Sequence, residues 1–160
     1  MEVVIRRAQV GDVEQLVRLN DIVQRLHIER RPDNFGPPGA HEVAAWFEAR
    51  LADPNARVWL AEIDGRPVGY VLGLFHVREA SLFVRARTWC EVDQIAVDAT
   101  ARRQGVARAL VAALAQEVQA VGVTELKAQT WGFNEASRRM FESLGFEVEN
   151  VRFRRDAAGG

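Results

Sequence analysis

The sequence has one cysteine, one tyrosine, three scattered histidines and no long apolar run, and each scarcity narrows what the chain can be. Cys90 alone cannot close an internal disulfide, and His27, His41 and His76 lie too far apart in sequence to make a metal-ligand motif. No metal is expected, and a lone thiol suits a reducing compartment. No stretch approaches the roughly 18 apolar residues that a spanning helix needs, and the opening MEVVIRRAQV lacks the apolar run and small-residue cleavage site of a leader. A soluble, cytoplasmic protein without a membrane partner is expected. Charge of one sign is missing too. Twenty-one basic residues against 22 acidic ones give a net charge of -1, with no like-charged block that would read as a nucleic-acid arm, so no nucleic-acid partner is expected. Neither Gly-x-x-x-x-Gly-Lys-Ser/Thr nor Gly-x-Gly-x-x-Gly occurs, which removes the P-loop and dinucleotide readings. With no repeat, low-complexity stretch or interdomain linker, residues 1–156 read as one domain and residues 157–160 as a disordered tail.

What is present is enough apolar material for a core, 48% of 160 residues, arranged with clear periods. Val3 to Arg6 reads as a strand. After Asp12, the residues Val13, Leu16, Val17, Leu19, Ile22, Val23 and Leu26 recur at helical spacing. The proline- and glycine-rich run Arg30 to Gly39 must be a loop, and a second helix spans about His41 to Leu51. Asp64-Gly65 between Val58–Ile63 and Pro67–Val77 predicts a β-hairpin, followed by a long strand from about Phe83 to Val97. Gly105 to Val121 predicts a helix ended by Gly122, Val123 to Trp131 a strand, and Asn134 to Leu144 a helix ended by Gly145. Strand, helix and strand in that order form a right-handed crossover, so the two flanking strands run parallel. Phe146 to Arg154 can supply one or two closing strands. The expected class is α/β (α+β), with a mixed, mostly antiparallel sheet of six to seven strands, one parallel pair and about four helices.

The most informative residues are Arg102-Arg103-Gln104-Gly105-Val106-Ala107, set between a strand end and a helix start. A helix start leaves N–H groups unpartnered at the positive end of the helix dipole, a place suited to phosphate. Gly105 permits close approach, Ala107 keeps the second contact small, and Arg102 and Arg103 add positive charge. An ordinary helix N-terminus with solvated arginines reads equally well from the hexapeptide alone.

Arg102-x-x-Gly105-x-Ala107 resembles the Gln/Arg-x-x-Gly-x-Gly/Ala pyrophosphate loop of the GNAT acetyltransferases, preceded by the apolar strand end Ile95-Ala96-Val97-Asp98. Asn134-Glu135-Ala136-Ser137-Arg138-Arg139-Met140-Phe141-Glu142-Ser143-Leu144-Gly145-Phe146 resembles that family's Asn-x-x-Ala-x-x-x-Tyr-x-x-x-Gly-Phe segment. The element order agrees along essentially the whole chain. The resemblance implies a GNAT fold with the parallel pair splayed apart, acetyl-CoA as cosubstrate and acetyl transfer to an amine. It implies that Ile95, Ala96 and Val97 offer the pantetheine arm an added-strand partner. The N–H groups of Gln104, Gly105, Val106 and Ala107 are then expected to hold the pyrophosphate, with Arg102, Arg103 and Arg108 beside them. Asn134 would lie along the pantetheine, and Ser137 and Phe141 at the acetyl end. Packing explains Phe141 as well, because Ser137, Met140, Phe141 and Leu144 form one helical stripe.

Acyl transfer to an amine needs a neutral amine, a polarised carbonyl and a proton for the leaving thiolate. Glu91 and Asp93 share the face of Ile95 and Val97 if the strand's two-residue period is unbroken; a β-bulge, common here in the family, would change that parity. Glu91 stands 105 - 91 = 14 positions before Gly105, a placement resembling the general-base glutamate of the histone-modifying branch. Glu91 is the favoured base, with Asp93 or water as the alternatives, and a salt bridge to Arg85 or Arg87 is the structural one. Position 141 departs from the family pattern: many members carry a tyrosine that protonates the thiolate, and phenylalanine cannot. Tyr70 or solvent could serve, or a CoA thiolate could leave unprotonated. Cys90 reads as a buried core thiol rather than a nucleophile.

On the acceptor side the resemblance points to the first two helices and their connection, where His27, Arg30, Arg31 and Phe35 are the candidate substrate-binding residues, with Tyr70 on the hairpin. The acceptor is expected to be a primary amine of a small molecule or peptide, and direct transfer in a ternary complex is the expected route. A peptide N-terminal or lysine acetyltransferase is the alternative enzyme, and a non-catalytic acyl-CoA-binding sensor the alternative from another class. Closing strands and long hairpins in this family often pair across a two-fold axis, which implies a homodimer.

Overall fold

The computed structural model describes residues 1–159. In chain order the strands are β1 (Val3–Arg7), β2 (Ala56–Ile63), β3 (Arg66–Arg78), β4 (Arg87–Val97) and β5 (Leu126–Ala128). The helices are α1 (Val13–Arg30), α2 (Ala40–Ala52), α3 (Val106–Ala120) and α4 (Glu135–Ser143). Asp64 and Gly65 adopt φ of 52° and 73°, the left-handed pair that lets β2 and β3 turn back on each other with matching twist. The sheet order is β1-β2-β3-β4-β5; every pairing is antiparallel except β4 with β5. The α3 crossover between those two strands is the reason for the exception.

The sheet separates two cores. On one face α3 buries Val106, Leu110, Leu114 and Val118 against Val71, Cys90 and Val92, with Phe141 of α4 joining them. On the other, Leu16 and Leu19 of α1 and Phe47 of α2 cover Val58, Leu60, Tyr70, Leu72 and Ala96. Gly73 sets the first spacing: a Cβ there would stand 2.7 Å from Leu114 Cδ1 and 2.9 Å from the Cys90 sulfur, so α3 can come this close only over a glycine.

One irregularity shapes the molecule. Leu72 of β3 pairs with Gln94 and Gly73 with Val92, leaving Asp93 as an extra residue in β4. Such a bulge bends its strand. Parallel pairing to β5 covers only Cys90–Val92 with Leu126–Ala128, and beyond the bulge β4 leaves β5, so Ile95 to Val97 keep β3 on one side and an open edge on the other.

Three expectations need correction. The sheet has five strands rather than six or seven, because Phe146 to Arg154 pairs with no strand among the described residues. An extended segment becomes a strand only with a neighbour to hydrogen-bond, and apolar alternation does not supply one. The long strand begins at Arg87 and not at Phe83: residues 79–86 form the connection, with Leu82 and Phe83 exposed and Arg78 donating to the Arg85 carbonyl. The strand after α3 is confined to Leu126–Ala128, since its neighbour bends away. Ala157 to Gly159 lie exposed in a turn, and Gly160 is outside the described residues.

Candidate active site

The bulge decides where the carboxylates point. Cys90, Val92, Ile95 and Val97 all pack in the α3 layer, whereas Gln94 meets α1 and Ala96 lies in the α1/α2 core. Glu91 therefore does not share the face of Ile95 and Val97. It lies on the α1/α2 side, where its carboxylate stands 3.8 Å from His76 Nε2 of β3. The unbroken-period expectation fails because one extra residue inverts all later positions. Asp93 opens to solvent, yet surrounding atoms strip part of its hydration and raise its carboxyl above the ordinary range. Arg50 of α2 and His76 oppose that shift and Glu91 adds to it. The result is two carboxylates and an imidazole close together at one stretch of β3 and β4.

Beneath them lies a closed polar triad. Tyr70 is fully buried, its hydroxyl donating to Gln94 Oε1 at 2.8 Å while Asn20 of α1 donates to both, at 3.1 and 3.2 Å. Burial pushes the Tyr70 phenol above its usual range. Tyr70 thus belongs to the floor under the opening and not to its surface. The Cys90 thiol, also fully buried, is pushed up to about 12 by desolvation, so it is no nucleophile at neutral pH.

At the far end of the open edge, Asp98 organises the turn into α3. Its Oδ1 accepts from the Thr100 N–H at 3.1 Å and hydroxyl at 3.0 Å, and Arg18 of α1 donates to its other oxygen at 3.1 Å. Arg103 (φ 62°) and Gly105 (φ 77°) then adopt left-handed conformations. The first turn of α3 carries no side-chain cap and no acidic residue. A Cβ built on Gly105 would meet nothing within 4 Å, so the space in front of the turn is open. Arg102, Arg103 and Gln104 surround it, exposed, while buried Val106 and half-buried Ala107 anchor the helix start. Gln104 donates to the Thr100 carbonyl and Arg108 to that of Ser143, which ties α3 to the end of α4. These are the features an extended diphosphate requires: unpartnered donors, positive charge and no competing carboxylate.

Asn134 caps α4 by accepting from the Ser137 N–H at 3.1 Å. Ser137 is half-buried, and Phe141 is 7% exposed with its ring 5.1 Å from that of Phe146, so it is a core residue of the α3/α4 layer.

The connection between α1 and α2 is held by rings. His27 stacks on Phe35 at 4.9 Å, Phe35 meets Trp131 edge-on at 5.3 Å, and Trp131 stacks on Phe133 at 5.9 Å. Arg31 forks onto Asp33 with two bonds of 2.8 Å and lies over the Trp131 ring at 5.3 Å. That pairing lowers the Asp33 carboxyl to about 2, and burial lowers the His27 imidazole. Arg30 sits exposed at the end of α1. The cluster joins the candidate acceptor loop to the loop that leads into Asn134. Trp131 and Phe133 escaped the sequence reading. The signal was two aromatic residues directly before the Asn134 motif, next to a strand already expected to splay.

Residues 20–146 match the family model of the GNAT acetyltransferase family, and the chain belongs to that family. The class is that of an acyltransferase. Over 135 residues the chain is 28% identical to the ribosomal protein bS18-alanine N-acetyltransferase of Escherichia coli, spanning 82% of this chain and 78% of that one. It is 26% identical over 153 residues to an N-alpha-acetyltransferase of Sulfurisphaera tokodaii, spanning 92% and 81%. A mutant of the BH1408 protein from Bacillus halodurans superposes with a TM-score of 0.91, covering 96% and 98% of the two chains at 21% identity. The aminoglycoside acetyltransferase AAC(6')-Iy, solved with a CoA bisubstrate analogue, superposes with a TM-score of 0.75 over 99% and 100% at 23% identity. The five-stranded mixed sheet is thus a GNAT fold.

Proposed function

We propose that the chain binds acetyl-CoA along the open edge of β4 and transfers the acetyl group directly to a primary amine of a small molecule or a peptide. One observation carries this reading: a single strand, β4, presents the unpaired edge at Ile95 to Val97, leads into the uncapped, acid-free start of α3 and carries Glu91 and the bulge residue Asp93 just before that edge. The pantetheine arm extends the sheet where β5 has left it, and the pyrophosphate lies on the α3 turn between Arg102 and Arg103. Asn134 and Ser137 flank the arm, and the Phe141 layer supports it from below.

In the ternary complex Glu91 takes the ammonium proton, directly or through water, and Asp93 is the alternative base. The neutral nitrogen attacks the thioester carbonyl, the C–S bond breaks, and the thiolate leaves. The second N–H proton is released from the new amide and a proton reaches the thiolate from solvent, because neither Phe141 nor the buried Tyr70 offers one. Similarity to a ribosomal protein bS18-alanine N-acetyltransferase and to an N-alpha-acetyltransferase favours a peptide α-amine among the acceptors. His27, Arg30, Arg31 and Phe35, with Trp131, form the acceptor side. Exposed Leu82, Phe83 and Phe153, together with the unpaired Phe146 to Arg154 segment, support a homodimer, which light scattering would read as twice the 17.9 kDa chain mass.

The test is thermal. Acetyl-CoA at about 100 times its dissociation constant should stabilise the wild type by about 2.7 kcal/mol, and Gly105→Glu, which places a carboxylate on the turn, should abolish the effect. A wild type whose melting ignores millimolar acetyl-CoA would refute the cosubstrate.

A further inference from the structure

The histidines look unrelated in sequence, and the fold gives one of them a partner that the reaction needs. His76 and Trp89 face each other across β3 and β4 in register, and their rings stack at 5.3 Å with planes only 14° apart. Stacking fixes the imidazole plane. Two positions along β4, Glu91 comes within 3.8 Å of His76 Nε2, while the bulge at Asp93 keeps both carboxylates on the His76 side. Among the described residues His76 is the one ion-pair partner of Glu91. Its side chain is 42% exposed against 28% for Glu91, so of the two groups the imidazole is the more open to bulk water.

We propose that His76 is the positioning and proton-relay residue of the candidate base Glu91, an inference that rests on the acetyl-transfer reading above. Each turnover converts an ammonium and a thioester into an amide, a thiol and one free proton. That proton must leave the opening before the next amine can be deprotonated. Glu91 takes it from the ammonium nitrogen, His76 Nε2 accepts it from the carboxylic acid as the pair closes from 3.8 Å to hydrogen-bond distance, and Nδ1–H gives up a proton to solvent, which leaves a neutral ring; exchange with water then moves the remaining proton from Nε2 to Nδ1 and restores the starting tautomer. Nothing is oxidised, and no bond other than N–H and O–H changes on the enzyme. The groups facing the imidazole are Glu91 and Asp93 of β4; Arg50 of α2 faces Asp93, and Lys127 of β5 lies 5.1 Å over the Trp89 ring. The two cations reach the imidazole only through Asp93 and the indole.

The experiment measures kcat and KM for an accepted amine, at several pH values, in wild type, His76→Gln, His76→Ala, Glu91→Gln and the His76→Gln/Glu91→Gln double variant, with folding checked by melting. His76→Gln should lower kcat about 10-fold at neutral pH, leave acetyl-CoA affinity unchanged and recover at high pH, where the amine is already neutral. The double variant should be no slower than Glu91→Gln alone, because two steps of one path are removed only once. Added imidazole should restore part of the rate of His76→Ala, a rescue that a packing role would not show. A His76→Gln enzyme with wild-type kcat and pH profile, or losses that multiply in the double variant, would overturn the relay. A wild type that releases no thiol with any amine overturns the relay together with the functional reading, and is distinguished by the wild-type assay itself.

Discussion

Asp93 is the residue whose environment costs the fold most visibly. Desolvation raises its carboxyl pKa, so the folded state holds the proton more tightly than the unfolded chain does. Stability attached to this group therefore falls as pH rises from about 3.9 through the raised folded value, and returns on acidification. Asp93→Asn, which keeps the shape and removes the charge, should raise the melting temperature at pH 7, and the difference should vanish near pH 4. Equal melting curves at pH 7 would mean that the side chain is fully hydrated. If Asp93 rather than Glu91 is the base, the same variant loses turnover, which separates the two carboxylates in one protein. Cys90 shows the opposite case, a residue chemically silenced by its place under α3, as its apolar neighbours in the alternating pattern already suggested.

In the proposed function two elements divide the labour between cofactor and acceptor. The α3 turn is built from Asp98, Arg103 and Gly105, while the α1–α2 connection is fastened by Arg31, Phe35 and Trp131. Because the two are fastened by separate sets of contacts, Arg30→Ala/Arg31→Ala should change the acceptor KM or preference several-fold and leave acetyl-CoA affinity nearly unchanged. A change confined to acetyl-CoA affinity would reverse the assignment. The helices, the Asp64-Gly65 hairpin and the α3 turn were legible in the sequence because each rests on local signals: heptad-like spacing, a left-handed pair, a glycine beside arginines. A bulge was foreseen only through the family resemblance; its position at Asp93 was not legible, since it depends on how β4 pairs with β3, and with it went the facing of Glu91. The partnership of His76 with Trp89 and Glu91, and the ring cluster at Trp131, are equally non-local. The missing closing strands belong here too: Val148, Val151 and Phe153 have strand-forming side chains and no neighbouring strand to pair with.

For the whole molecule, the bulge and the short β5 together end the β4–β5 pairing at Val92 and leave the edge of Ile95 to Val97 free, where the proposed reading puts the cosubstrate. The two cores hold the sheet from its opposite faces, one under α3 and one under α1 and α2. The central claim is that this opening performs acetyl transfer. The most direct measurement is the release of free thiol from acetyl-CoA, followed with a panel of short peptides, amino acids, polyamines and aminoglycosides. The account predicts amine-dependent thiol release at neutral pH with at least one member of the panel, greatly reduced by Glu91→Gln. Tight binding of acetyl-CoA with no thiol released for any amine would contradict it, and would leave a CoA-binding sensor in its place.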